Sequence, residues 1–186
     1  MTNGELAVLL GRVSARDREA FAALYRALER PVYAFVMQKL NDSSEAHDIV
    51  NETFLDVWKN AGTFEGRSAV KSWIFAIAYR RVIDLIRKRS KLQVQEALPE
   101  TADDGISAEN CLLAAESGAH LHHCLAQLKD DQRIAIRLSF FDDMSYREIA
   151  NVVNAPEGTV KTRIFHAKQA LLRCLSGRLS EKDIPS

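Results

Sequence analysis

The stretch from Leu138 to Leu172, LSFFDDMSYREIANVVNAPEGTVKTRIFHAKQALL, constrains the fold of this 186-residue chain most. Ser145 followed three residues later by Glu148 is a capping box, which starts a short helix. Ile149, Val152 and Val153 give that helix an apolar face, and Asn154 tolerates the left-handed conformation that stops it. Pro156 suits the opening of a second helix, where its missing N–H has no partner to lose. Val160, Ile164, Ala167 and Leu171 then recur at helical spacing and face inward. This leaves Lys161, Thr162, Arg163, Phe165, His166 and Lys168 on the outer surface. Two helices so arranged, with hydrogen-bond donors near the start of the second, form a helix-turn-helix able to enter a DNA major groove. The alternative is a plain helical hairpin with a solvated basic face.

The rest of the chain is also helical. Apolar residues recur every three or four positions, Gly and Pro are few, and no stretch alternates as a strand would. The expected class is all-α. The spacing predicts helices over Leu6–Val13, Glu19–Leu40 with a kink at Pro31, 42–60 opened by Asp42 and Glu45, and Val70–Arg89. Residues 91–108 lose the periodicity and gain Pro99, Gly105 and acids, as a flexible linker does. Four more helices are predicted over 109–127, 130–141, 145–153 and 156–176. The chain therefore divides into a helical domain 1–90, an acidic linker 91–108, a second helical domain 109–178 and a frayed tail 179–186.

A net charge of zero hides a pattern. Residues 1–90 carry 14 basic and 11 acidic side chains, 91–118 carry 1 and 6, and 119–186 carry 10 and 8. The two helical blocks are basic and attract phosphate in a salt-dependent way. The neutral whole implies modest DNA affinity for the chain alone. The start lacks the pattern of a secretory signal, and no window approaches the ~18–20 apolar residues of a membrane span, so no membrane insertion is expected. Cys111, Cys124 and Cys174 contain no CxxC pair and suggest reduced thiols in a cytoplasm. His120 and Cys124 lie one helical turn apart, but His122 and His123 point elsewhere. That cluster reads as ordinary packing and surface residues, with a metal site or a reactive thiol as alternatives, and no metal or cofactor is expected. There is no glycine-rich phosphate loop, no nucleophile–His arrangement and no paired carboxylates in a pocket-like pattern, which argues against an enzyme.

Two surfaces of the first block carry further signals. The helix from Ala46 to Asn60 buries one face and presents Asp48, Asn51, Glu52, Leu55, Asp56 and Lys59 on the other. That face is either a solvated charged surface or a docking face for another protein. From Phe64 to Arg81, Phe64, Trp73, Phe75 and Tyr79 are interleaved with Arg67, Lys71, Arg80 and Arg81. Rings among cations suit single-stranded nucleic acid, although Trp73, Phe75 and Tyr79 also fit a core. The loop Phe64–Ser68, in a stretch punctuated by Gly62 and Gly66, can form a pocket for a flipped base.

Taken together, DIVNETFLDVW (48–58), FEGRS (64–68) and KSWIFAIAYRRVIDLIRKR (71–89), followed by MSYREIA (144–150) and PEGTVKTRIFHAK (156–168), resemble a sigma factor of the extracytoplasmic-function (ECF) type. The resemblance spans roughly 15–178, with the first block similar to sigma region 2 and the second to sigma region 4. It implies a protein that directs core RNA polymerase to promoters and is held inactive by an anti-sigma factor until a stress signal. By the same resemblance Asp48, Asn51, Glu52, Leu55 and Asp56 bind core polymerase. Phe64, Glu65, Gly66, Arg67, Ser68, Lys71, Trp73, Arg80 and Arg81 bind and open the −10 element of promoter DNA. Glu157, Thr159, Lys161, Thr162, Arg163, Phe165, His166 and Lys168 read the −35 element. Family members commonly carry Arg near position 166, so the base preference at His166 does not carry over. The competing expectation is a helix-turn-helix regulator that binds duplex operators without polymerase.

Overall fold

The computed structural model describes residues 1–93 and 114–180, and among these it contains eight α-helices and no strand. α1 (Asn3–Ser14), α2 (Arg18–Leu40) and α3 (Ser43–Asn60) are followed by a 3₁₀ turn (Ala61–Thr63) and α4 (Val70–Gln93). After the undescribed segment come α5 (Ala114–Ala126), α6 (Asp130–Phe140), α7 (Tyr146–Val153) and α8 (Glu157–Ser180). The acidic stretch 94–108, Cys111, and residues 109–113 of the expected helix 109–127 lie outside the described residues. Residues 91–93, expected in the linker, instead continue α4.

Local chemistry sets the boundaries. α1 starts earlier than its apolar pattern indicates, because Thr2 and Glu5 form a capping box. Asp17 accepts from the amides of Glu19 and Ala20 at the head of α2, and Asp42 accepts from Glu45 at the head of α3. α2 runs through Pro31, which removes one ladder bond without ending the helix. Asn41 stops α2 in the left-handed region at φ 57°. The cap of α4 comes from far away in sequence: the Val70 amide donates to Asn3 Oδ1 at 2.9 Å.

α1–α4 close around Leu10, Leu24, Val32, Phe35, Phe54, Val57, Ile74 and Phe75, all buried. Each such side chain contributes about 1.5–3 kcal/mol by leaving water. Aromatic rings tie the helices together, with Phe21–Trp58 centroids 5.1 Å apart, Tyr25–Phe54 4.7 Å and Phe35–Phe75 5.1 Å. Phe75 is therefore core, while Trp73 and Tyr79 are half-buried.

In the second unit Ile134, Leu138, Ile149, Val160, Ile164 and Ala167 form the core of α6–α8. Here one expectation is corrected. Cys124 and Cys174 are joined by a disulfide, so two of the three cysteines are not reduced thiols. The partners stand 50 residues apart in sequence, and only the packing of α5 along α8 brings them together. The bond also removes Cys124 from any metal site with His120, and among the described residues no group of three or more His, Cys, Asp or Glu could hold a metal ion. Nor, among those residues, is any helix long and apolar enough to cross a membrane.

The units touch each other. α4 packs on α7 and α2 on α6, which makes one apolar cluster continuous through both.

Candidate nucleic-acid and polymerase interfaces

The helix-turn-helix is built as its sequence indicates. The Glu148 amide donates to Ser145 Oγ at 3.3 Å, and the Ser145 amide donates back to Glu148 Oε2 at 2.8 Å. Burial pushes the Glu148 carboxyl up, but the Ser145 amide and hydroxyl, Ser72 and Lys71 together hold it below its ordinary value. Asn154 stops α7 at φ 49°, with the Ala155 amide on the Ala150 carbonyl. Pro156 stands immediately before α8, where its carbonyl accepts from Thr159 and Val160.

Val160, Ile164 and Ala167 anchor α8, so Glu157, Thr159, Lys161, Thr162, Phe165, His166 and Lys168 are exposed. Phe165 keeps 59% of its surface in water with its ring edge-on to His166, and Lys168 lies 4.9 Å from the Phe140 ring centre. The Lys161 ammonium sits 2.9 Å from Glu157, which raises its pKa. Arg163 differs from the others. It is half-buried and bound to Asp131 of α6 at 2.7 Å, so it is not presented outward as the rest are.

The first unit presents two adjoining surfaces. On α3, Asp48, Asn51, Glu52, Leu55 and Lys59 are exposed, and Leu55 keeps 53% of its surface in water. Asp56 is half-buried because Arg81 of α4 grips it through Nε (2.9 Å) and Nη2 (2.6 Å), while Nη1 reaches Glu52 at 2.7 Å. The hydrogen bonds it donates to Asp56 raise the Arg81 pKa. The structure thus brings Arg81, expected to face DNA, onto the acidic face expected to meet polymerase.

The loop Phe64–Ser68 turns at Gly66, whose φ of 70° suits glycine. Glu65, Gly66 and Arg67 are exposed, Ser68 is half-buried, and Arg67 pairs with Glu65 at 2.6 Å. Phe64 leans on Trp73 with ring centres 5.4 Å apart. Beside them an open cleft of about 390 Å³ between α3 and α4 is lined by Asp56, Asn60, Thr63, Trp73, Arg80 and Arg81. A ring, two guanidiniums and amide and hydroxyl groups at one opening can stack and hydrogen-bond an unpaired base. Lys71 does not face that cleft: its Nζ binds Asp142 of the second unit. Sequence spacing carries no sign of Asn3, Ser72, Asp131 or Asp142 as partners, because each acts across a long separation.

Comparison with known proteins decides the family. Residues 24–92 match the sigma-70 region 2 family and residues 119–171 the sigma-70 region 4 family. The RNA polymerase sigma-H factor of Pseudomonas aeruginosa is 30% identical over 93% of this chain and 95% of its own length. The chain belongs to the sigma-70 family, in its ECF class. The ECF factor SigK of Mycolicibacterium vanbaalenii is likewise 30% identical over 94% of this chain and 91% of its own, and SigK of Mycobacterium tuberculosis is 28% identical over 93% and 95%. In fold the chain is similar to sigma factor RpoE of Bartonella quintana, solved with the anti-sigma factor NepR (TM-score 0.68, 24% identity, 84% of this chain and 96% of that one). It is also similar to CnrH, solved with the cytosolic domain of CnrY (TM-score 0.66, 20% identity, 93% and 98%). A match to both regions accounts for both helical units, which a regulator built on a helix-turn-helix alone does not. As a sigma factor, the chain directs core RNA polymerase to promoters.

Proposed function

We propose that the outer face of α3, with Asp48, Asn51, Glu52, Leu55 and Asp56, docks on core polymerase. The loop Phe64–Ser68 with Lys71, Trp73, Arg80 and Arg81 then binds and opens the −10 element. α8, through Glu157, Thr159, Lys161, Thr162, Arg163, Phe165, His166 and Lys168, reads the −35 element. Region 2 corresponds to residues 1–93 and region 4 to 109–178, with an acidic linker over 94–108. The protein works in the cytoplasm and catalyses no reaction of its own. An anti-sigma factor, such as NepR in its solved complex with RpoE, holds it inactive until a stress signal.

One observation carries this reading: the acidic face that bears the exposed Leu55 shares Asp56 with a cleft lined by Trp73 and Arg80. A docking face beside a base-sized cleft is what promoter opening needs, since polymerase must hold DNA where strands separate. Opening costs unstacking energy, and capture of an extruded base returns a few kcal/mol. Each region alone binds DNA weakly, and polymerase raises the effective concentration of the second contact once the first forms.

The docking assignment is tested by Leu55→Ala and Glu52→Lys. Both are expected to weaken binding to core polymerase by tenfold or more with helical content unchanged. Unaltered affinity in both variants would place the docking face elsewhere.

A further inference from the structure

We propose that Arg163 meets the phosphate backbone beside the −35 element and not its bases, and that Asp131 of α6 is the positioning residue that keeps it there. The inference rests on the reading of α8 as the helix that enters the −35 groove, and it divides the residues of that helix by what they touch.

Helix geometry separates two stripes on α8. Lys161, Phe165 and Lys168 follow one another at spacings of four and three, and all three are exposed. Thr159, Arg163 and His166 follow at the same spacings along a second stripe. α6 packs on α8, which sets the first turn of α6 beside that second stripe. An open cleft of about 510 Å³ lies between them, lined by Gln132 of α6 and by Thr159, Thr162, Arg163 and His166 of α8. A recognition helix lays its centre on base edges, and its flanks meet the sugar–phosphate strands that border the groove. The stripe beside α6 is such a flank.

The partner of Arg163 decides what it can hold. Its Nη2 is bound to Asp131 at 2.7 Å, and the side chain is half-buried. Reading guanine end-on needs both Nη groups aimed at one base edge, and Asp131 draws one of them toward α6. A phosphate oxygen needs a single charged donor, and Arg163 keeps Nη1 and Nε for that purpose. Gln132 adds a neutral donor at the same cleft, since its side-chain amide pairs with no described residue. The Asp131–Arg163 pair is partly solvated and adds little to stability. What it supplies is direction: a long side chain that otherwise samples many rotamers is held in one. Base reading then falls to Lys161, Thr162, Phe165 and His166.

The test measures binding of holoenzyme, assembled from core polymerase and the full chain, to a promoter duplex that it transcribes. Each −35 base pair is varied in turn, over a range of salt. Arg163→Gln is expected to weaken binding to every duplex by the same factor, about three- to tenfold, and to lower the slope of log affinity against log salt by about 0.9, the share of one phosphate. Gln132→Ala is expected to weaken all duplexes evenly with the slope unchanged, because the lost group is neutral. Asp131→Asn frees Arg163 and is expected to shift preference at one −35 position toward guanine by about threefold or more, whereas Asp131→Glu keeps the wild-type preferences. Circular dichroism checks that region 4 remains folded, and if Arg163→Gln unfolds it, the Asp131 pair of variants decides. A preference lost at a single base pair in Arg163→Gln, or preferences unchanged in Asp131→Asn, overturns the proposal. Phe165→Ala and His166→Ala test the underlying reading separately: preferences untouched in both would remove α8 itself from the −35 element.

Discussion

In region 2 two of the four cations assigned to DNA answer to partners far off in the chain: Lys71 to Asp142, 71 residues on, and Arg81 to Asp56, 25 residues back. On α8 of region 4 the corresponding pair is Lys161 with Glu157, four residues apart on one helix. An exposed pair within one helix contributes little and yields readily to a phosphate. The face of α8 is thus set by helix geometry and ready for DNA as it stands, Arg163 excepted. Region 2 instead holds Lys71 and Arg81 in a tertiary arrangement that a partner must rearrange. The regions differ in cohesion as well: region 2 is held by interlocked rings, whereas region 4 has a covalent tie between α5 and α8.

The largest expected effect breaks the contrast in cohesion. Reducing the Cys124–Cys174 disulfide opens a loop of 50 residues, which on chain-entropy grounds destabilises by up to about 4 kcal/mol. Thermal unfolding followed in dithiothreitol should show the region 4 transition falling and that of region 2 unmoved. Joint movement of both would mean that the regions melt as one unit.

Next, Arg81→Lys should cost about 1–3 kcal/mol of region 2 stability, since a single ammonium cannot reproduce the grip on Asp56 and Glu52. Titration of core polymerase should show weaker binding as Asp56 and Glu52 lose their orientation. A change in promoter opening with polymerase affinity intact would confine Arg81 to the −10 surface.

A smaller effect tests the helix-turn-helix. Ser145→Ala removes the cap of α7 and should cost about 1 kcal/mol of region 4 stability, read from denaturant unfolding. The smallest concerns pH. Glu148 is held below its ordinary 4.5, so its contribution is complete above that value and is lost as pH falls through the lower folded value. Region 4 stability should decline on acidification below about pH 4.5, with Glu148→Gln removing that part of the decline.

The same contrast explains what the sequence discloses. Helix order, the helix-turn-helix, its capping box and the left-handed Asn154 follow from spacing and from residues three or four apart, and these were legible. The start of α1 escaped the apolar pattern because Thr2 and Glu5 extend it by capping. The cap of α4 by Asn3, the Cys124–Cys174 bond, the Arg163–Asp131 pair and the burial of Asp142 depend on how helices meet. No periodicity records such encounters. Lys71 and Arg81 read as basic residues among rings, but only their distant carboxylates reveal that both are already engaged.

The central claim, that two regions act together on polymerase to select and open promoters, is tested most directly by transcription in vitro. Core RNA polymerase with the purified chain would be run on fragmented bacterial DNA and the 5′ ends of transcripts mapped. Discrete starts preceded by two shared elements at fixed spacing are expected, and Leu55→Ala should abolish them. Absence of such starts, together with tight duplex binding by the chain alone, would contradict it.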